Sequence, residues 1–328
     1  MRTTFVNSFM EFLEDGHDIH LLTADLGFKM FDPIREKYPN RFTNVGVAES
    51  NMIGLAAGMA MRGVKVFCYS MAPFILFRTL DQIRVDLCHP QMPVILVAVG
   101  GGLHYSKEGM THHAIEDIAI ARALPGLTVM APGDPVECKM LLEEAITLDG
   151  PCYLRLCGND NTVIYEDSQT PTFGKISCLQ PDGNVAIIAN GEMLLCGKKV
   201  VDRLKKDGLM CRLYSVHTLK PFDDHTVKRI ANECTTIITL EEHNLINGVG
   251  TAIAETLFSS GYQGKFRKFG IPDEYATVLG DKEWLRNYYG LGYEMIALEI
   301  RKIIEDAWDS KNRNVSYFPN RMEIMYGV

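Results

Sequence analysis

The sequence contains no Cys-x-x-Cys pair, no cluster of lysine and arginine, and no run of about 18 apolar residues. Its nine cysteines stand at 68, 88, 138, 152, 157, 178, 196, 211 and 234. An odd, unpatterned set of this kind excludes a disulfide frame and a zinc spacing, and it reads as reduced thiols. Cys68 and Cys211 sit inside apolar runs, as small core residues do. Acidic residues outnumber basic ones 41 to 33, a net charge of −8. That balance speaks against nucleic acid or an anionic membrane surface as a partner. Without a long apolar run, no membrane-spanning helix is expected. The opening stretch MRTTFVNSFMEFLEDGHD has the spacing of an amphipathic helix and lacks the apolar core and cleavage site of a signal peptide. A cytoplasmic protein is the expectation. Neither an internal repeat nor a low-complexity segment is present.

What the chain does have is alternation. Short apolar runs at 20–25, 65–70, 93–99, 127–132 and 152–156 predict strands. Helical spacing separates them at 3–14, 50–62, 74–88, 114–123 and 135–148. Thr3, Asp134 and the Ser50/Asn51 pair are capping residues at helix starts. From 158 to 183 the periodicity gives way to a polar stretch with glycine and proline, a natural connection. A second alternating unit follows, with strands at 184–189, 211–216, 236–240 and 265–269. Its helices fall at 192–206, 223–232, 248–259 and 293–308. The predicted class is α/β, with two doubly wound domains built on parallel sheets. Residues 1–165 form the first domain, 166–183 a linker, 184–309 the second domain, and 310–328 an extended tail.

Three segments carry candidate chemistry. Residues 44–63, NVGVAESNMIGLAAGMAMRG, start like a strand and pass through a lone carboxylate, Glu49, into a helix of small residues. The dipole at a helix start stabilises a carboxylate, so Glu49 read alone is either a cap or a functional acid. Residues 68–84, CYSMAPFILFRTLDQIR, place Phe74 and Phe77 three apart, on one face of a helix. Aromatics so placed are either core or a stacking surface. Residues 107–123, KEGMTHHAIEDIAIARA, carry His112 and His113 at a loop–helix junction. An imidazole there either caps a helix or donates and accepts near neutral pH.

In order and spacing over residues 7–156, these segments resemble transketolases and deoxyxylulose-phosphate synthases. The first domain is then similar to their pyrimidine-type thiamine diphosphate-binding domain. The second, through NGEMLLCGKKVVDRLKKDG and EEHNLINGVGTAIAETL, is similar to the transketolase C-terminal domain. The resemblance implies that Glu49 meets the aminopyrimidine of thiamine diphosphate and shares a proton with it, favouring deprotonation of the thiazolium carbon. It implies further that Phe74 stacks on that ring, with Phe77 beside it and Met71 where the family often has an aromatic. His112 would contact substrate, and His113 stands where glutamine is common.

One family motif is missing. Full-length transketolases hold the diphosphate and a divalent cation with a Gly-Asp-Gly…Asn motif, and this chain has only LGDKEW and PGDP as its nearest strings. No metal ligand is therefore expected in this chain. Mg2+ or Ca2+ would be held mainly by a separate N-terminal transketolase subunit, with the site between subunits and an α2β2 assembly. The usual phosphate-gripping serine, histidine and arginine are replaced by Lys29, Gly100 and Gly158, and a hydroxyl-reading aspartate by Glu108. Lys29, His104, Lys107 and Arg155 are the cations available to rebuild an anion site. The expected activity is transfer of a two-carbon ketol unit from a ketose to an aldose, on a small sugar substrate. The alternatives are the beta subunit of a 2-oxo acid dehydrogenase, a deoxyxylulose-phosphate synthase-like enzyme, and a non-catalytic partner-binding subunit.

Overall fold

The computed structural model describes residues 1–158 and 162–309, so the tail expected at 310–328 lies outside the described residues. The first half supplies β1 (Ile19–Thr23), β2 (Phe42–Asn44), β3 (Lys65–Met71), β4 (Val94–Val99), β5 (Thr128–Met130) and β6 (Cys152–Leu156). The second supplies β7 (Ser177–Gln180), β8 (Val185–Ala189), β9 (Cys211–Ser215), β10 (Thr218–Lys220), β11 (Thr236–Asn244) and β12 (Lys265–Ile271). One sheet runs β10-β5-β6-β4-β3-β1-β2 and the other β12-β11-β8-β9-β7. Each is parallel except for one edge strand, β10 in the first and β7 in the second. The inner strands are apolar throughout because helices cover both faces. Every residue of VILVAV in β4 is buried, as is every residue of β6 and β8.

Three short strands differ from the reading of the sequence. β2 and β10 hold three residues each and β7 four, too few for periodicity to register. β7 lies in the stretch read as linker. β10 leaves the second half and closes the edge of the first sheet, with Thr218 opposite Met130. The helix read at 74–88 starts two residues earlier and is interrupted: Ala72–Phe77, Leu80–Gln82, then a π-helical turn at Ile83–Cys88. A further helix at Lys282–Tyr288, capped by the Asp281 side chain, had no counterpart in the pattern. Among the described residues no helix is long and apolar enough to cross a membrane.

The two halves share a core. Leu96 and Ala98 of β4 belong to one apolar cluster with Ala186 and Ile188 of β8 and Leu219 of β10. A buried polar seam runs beside it. Arg155 on β6 donates through Nε to Asp117 Oδ2 (2.7 Å) and through Nη2 to the carbonyls of Ala114 (2.9 Å) and Glu242 (3.2 Å). The Tyr153 hydroxyl donates to the same Asp117 oxygen at 2.8 Å. Glu242 on β11 accepts the Leu103 N–H at 2.7 Å and pairs with Arg286. Arg286 and Lys282 both reach Glu192, at 3.1 and 2.6 Å. Burial pushes the Glu242 carboxyl up, but Arg286 and Lys282 outweigh it and hold the group below the ordinary carboxylate range. Charges this deep persist because each has a counter-charge and hydrogen bonds.

Candidate active site

In parallel α/β sheets, ligands bind outside the carboxyl ends of the strands. Three such ends converge here. Beyond β2 the chain turns at Gly46, where φ is +75°, and enters the helix Glu49–Ala60. Glu49 is the first residue of that helix and only 3% exposed. Its Oε1 accepts from the Ser70 hydroxyl near the end of β3 at 3.1 Å. Its Oε2 faces Arg78 Nη1 at 3.4 Å. Arg78 is 52% exposed and lies with its guanidinium carbon 4.1 Å from the centre of the Phe74 ring. His112 meets the same ring edge-on, with centroids 5.3 Å apart, and its Nδ1 lies 2.9 Å from the Thr111 hydroxyl. The line continues from His112 to Tyr105 at 6.2 Å and from Tyr105 to His104 at 5.0 Å.

The arrangement offers a shielded carboxylate at a helix start, an aromatic face beside it, and an imidazole at the edge of that face. A ring with a basic nitrogen fits such a pocket, because the low local dielectric strengthens its hydrogen bond to the acid. Glu49, Phe74 and His112 are thus brought together. Phe77 is half-buried and packs against the apolar core. Met71 is half-buried and sits at the start of the helix Ala72–Phe77.

The candidate anion ligands scatter. Arg155 is corrected from a substrate cation to an internal strut, being 2% exposed with its guanidinium engaged by Asp117 and two carbonyls. His113 is buried, and burial lowers its pKa, so it stays neutral. Lys29, at a φ of +64°, and Lys107 and Glu108 are exposed, and none joins the line of contacts from Glu49 to His104. His104 does join it. Burial lowers its pKa first, with the Glu192 charge opposing, and its Nε2 lies 3.2 Å from Arg2 Nη2.

Ser70, Arg78, Tyr105 and Arg2 escaped the sequence reading. The run Gly100–Gly102 carried a usable signal for Tyr105. Gly100 has a φ of +80°, and a side chain there would run into the Tyr105 ring. Added carbons at Gly101 and Gly102 would lie 2.5 Å from Arg155 Nε and from Glu242 Oε1. Each glycine therefore makes room for one incoming side chain. Arg2 has no local signal, since its partners lie more than 100 positions away.

Comparison with known proteins supplies the setting. The transketolase pyrimidine-binding domain matches residues 1–160, and the transketolase C-terminal domain matches residues 174–296. A putative transketolase C-terminal section from Methanocaldococcus jannaschii is 34% identical over 303 residues, covering 92% of this chain and 95% of that protein. A 6-deoxy-6-sulfo-D-fructose transketolase subunit from a Clostridium species is 32% identical, covering 95% of each. Among solved structures, a split-gene transketolase described as an inactive β4 tetramer superposes with a TM-score of 0.81 at 29% identity. It covers 93% of this chain and 97% of its own.

Proposed function

This chain belongs to the transketolase family, matching its pyrimidine-binding and C-terminal domains, and from that premise we propose that it is the C-terminal subunit of a split, thiamine diphosphate-dependent transketolase. The transferred unit is a two-carbon ketol passing from a ketose to an aldose. The observation that supports this most directly is the Glu49 carboxylate, buried at a helix start beside Phe74 and His112. When bound, thiamine diphosphate supplies a stabilised carbanion that the side chains of a protein cannot provide.

The chain's own residues fit the aminopyrimidine half of that cofactor. Glu49 holds a proton against a ring nitrogen, and Ser70 fixes the orientation of the carboxylate by donating to Oε1. Phe74 presents the stacking face. Arg78, lying on that face and half-exposed, has room to swing aside. His112 reaches the reacting end of a sugar as donor or acceptor. Replacing His112 with Ala is expected to lower kcat/KM by about tenfold to a hundredfold, the effect of an unmade hydrogen bond in a shielded site. Steady-state kinetics of the assembled enzyme measure it.

The diphosphate half belongs to the second subunit in this reading. The Gly-Asp-Gly…Asn motif that the family uses for this half does not occur in the sequence, and diphosphate binding calls for a hard cation with oxygen ligands. Two copies of each subunit would make an α2β2 enzyme. The test is calorimetric titration of thiamine diphosphate with Mg2+ into this chain, into the N-terminal subunit, and into their mixture. Binding is expected in the mixture alone, together with ketol transfer. Tight binding by the isolated chain would overturn the divided site. A mixture that consumes pyruvate and transfers no ketol group would favour the synthase- or dehydrogenase-type alternative.

A further inference from the structure

Between the turn after β1 and the ends of β3 and β4 lies a cavity of about 200 Å3, lined among others by Arg2, Gly27, Met30, Tyr69, Val99 and Tyr105. It sits on the carboxyl-end edge of the first sheet, on the same line of side chains as the Glu49 pocket. Arg2 enters it from the first turn of the helix Arg2–Glu14. Its Nη2 donates to the Tyr105 hydroxyl at 2.9 Å and to His104 Nε2 at 3.2 Å, and its guanidinium carbon stands 5.8 Å from the Tyr105 ring centre.

Among the described residues Arg2 has no counter-ion. Among the described residues no carboxylate comes within ion-pair distance, and Nε is buried without a hydrogen-bond partner. Arg2 is half-buried, and the two buried guanidiniums among the described residues, on Arg155 and Arg286, are both paired with carboxylates. A half-buried cation without a counter-charge is a favourable place for an anion to join. The hydrogen atoms point the same way. A guanidinium offers donors only, so His104 Nε2 and the Tyr105 oxygen both accept from Arg2. Tyr105 therefore keeps its own hydroxyl hydrogen to give to a ligand. His104 carries its proton on Nδ1, which is buried and unpartnered.

The positions of the departures from the family pattern fit this assembly. A side chain at Gly100 would occupy the place of the Tyr105 ring. An added carbon at Gly158 would lie 2.9 Å from His104 Nδ1 and 2.5 Å from Glu192 Oε1. The space vacated at both glycines is thus held by the two residues that Arg2 bonds.

Resting on the proposed function, we propose that Arg2, held in place by His104 and joined by Tyr105, binds a tetrahedral oxyanion, a phosphate monoester or a sulfonate, at the far end of the ketose. The planar fork of arginine matches such a group, and the tyrosine adds a third donor. The subsite is assembled from the first turn of the chain and the Gly100–Tyr105 loop, not from the positions that grip phosphate elsewhere in the family.

The test uses the enzyme assembled from both subunits with thiamine diphosphate and Mg2+. Donors are D-fructose 6-phosphate, 6-deoxy-6-sulfo-D-fructose and the uncharged L-erythrulose. Arg2→Gln is expected to lower the ratio of kcat/KM for the charged ketoses over L-erythrulose by about tenfold or more, chiefly through KM. Arg2→Lys should recover part of the ratio, and Tyr105→Phe should lower it less than Arg2→Gln. The charged donor with the larger loss identifies the preferred oxyanion. An active Arg2→Gln enzyme with an unchanged ratio overturns the proposal. A second arm is independent of turnover: inorganic phosphate and sulfate are titrated into the wild-type chain and Arg2→Gln, with circular dichroism confirming the fold. Binding lost with Arg2 supports the subsite even if no ketol transfer is found, the outcome that would count against the proposed function alone. Equal binding, or none by either protein, overturns it.

Discussion

Exchanging Glu49 for Gln is expected to lower kcat of the two-subunit enzyme by about 10²- to 10⁴-fold, the range for a group that moves a proton in the transition state. The substitution is nearly isosteric. It keeps an oxygen for the Ser70 hydroxyl, 3.1 Å away in the wild type, and removes the charge that faces Arg78. Helix stability changes little, because the capping position is held by Ala48 and not by Glu49. Removing the negative charge from the helix start loses only about 0.3–1 kcal/mol. The effect should therefore fall on kcat, with the melting temperature close to wild type. Glu49→Ala should also weaken cofactor affinity in the calorimetric titration, since no oxygen remains to hold the ring. A Gln variant that keeps kcat within about threefold of wild type would remove Glu49 from the acid–base role.

The largest expected change in stability lies elsewhere, at the seam between the halves. Asp117→Ala should destabilise the chain by about 3–5 kcal/mol, the range for breaking one partner out of a buried ion pair. Arg155 is 2% exposed and Asp117 fully buried, so the guanidinium loses its counter-charge in a site shielded from bulk solvent. The change also strands the Tyr153 hydroxyl, which donates to the same oxygen. With a urea m-value near about 3 kcal/mol per molar, the midpoint should fall by about 1 M or more. Asp117→Asn should lose less, because an amide oxygen can still accept from Tyr153 and Arg155. An unchanged midpoint for Asp117→Ala would mean that the pair contributes nothing net against its own desolvation.

These two residues also mark what could be read before the structure. The place of Glu49 at a helix start was legible because the small-residue helix is one contiguous string, whereas the roles read for Glu49 and His112 rest on the proposal above. The long inner strands were legible for a similar reason: burial on both faces makes runs such as Val94–Val99 uniformly apolar. Arg155 was misread because its fate depends on Asp117, 38 positions earlier. An arginine at the end of a strand looks like an anion ligand until its counter-charge is found. The same distance problem hid Arg2 from His104 and Tyr105. The edge strands β2, β7 and β10 failed for want of length, since three or four residues carry no period.

The short strand β10 carries a consequence for modularity. By pairing with β5, residues 218–220 shield an edge that would otherwise present unpaired amides and carbonyls to any passing strand. Expressed without the second half, the first half would keep its Glu49 pocket and be left with a template for aggregation along β5. The second half, deprived of its neighbour, would carry a strand with nothing to pair against. The two α/β units therefore behave as one heritable piece. Recombination or protein engineering that joins this chain to new partners should respect that boundary, exchanging residues 1–309 together and never dividing them near 160–177.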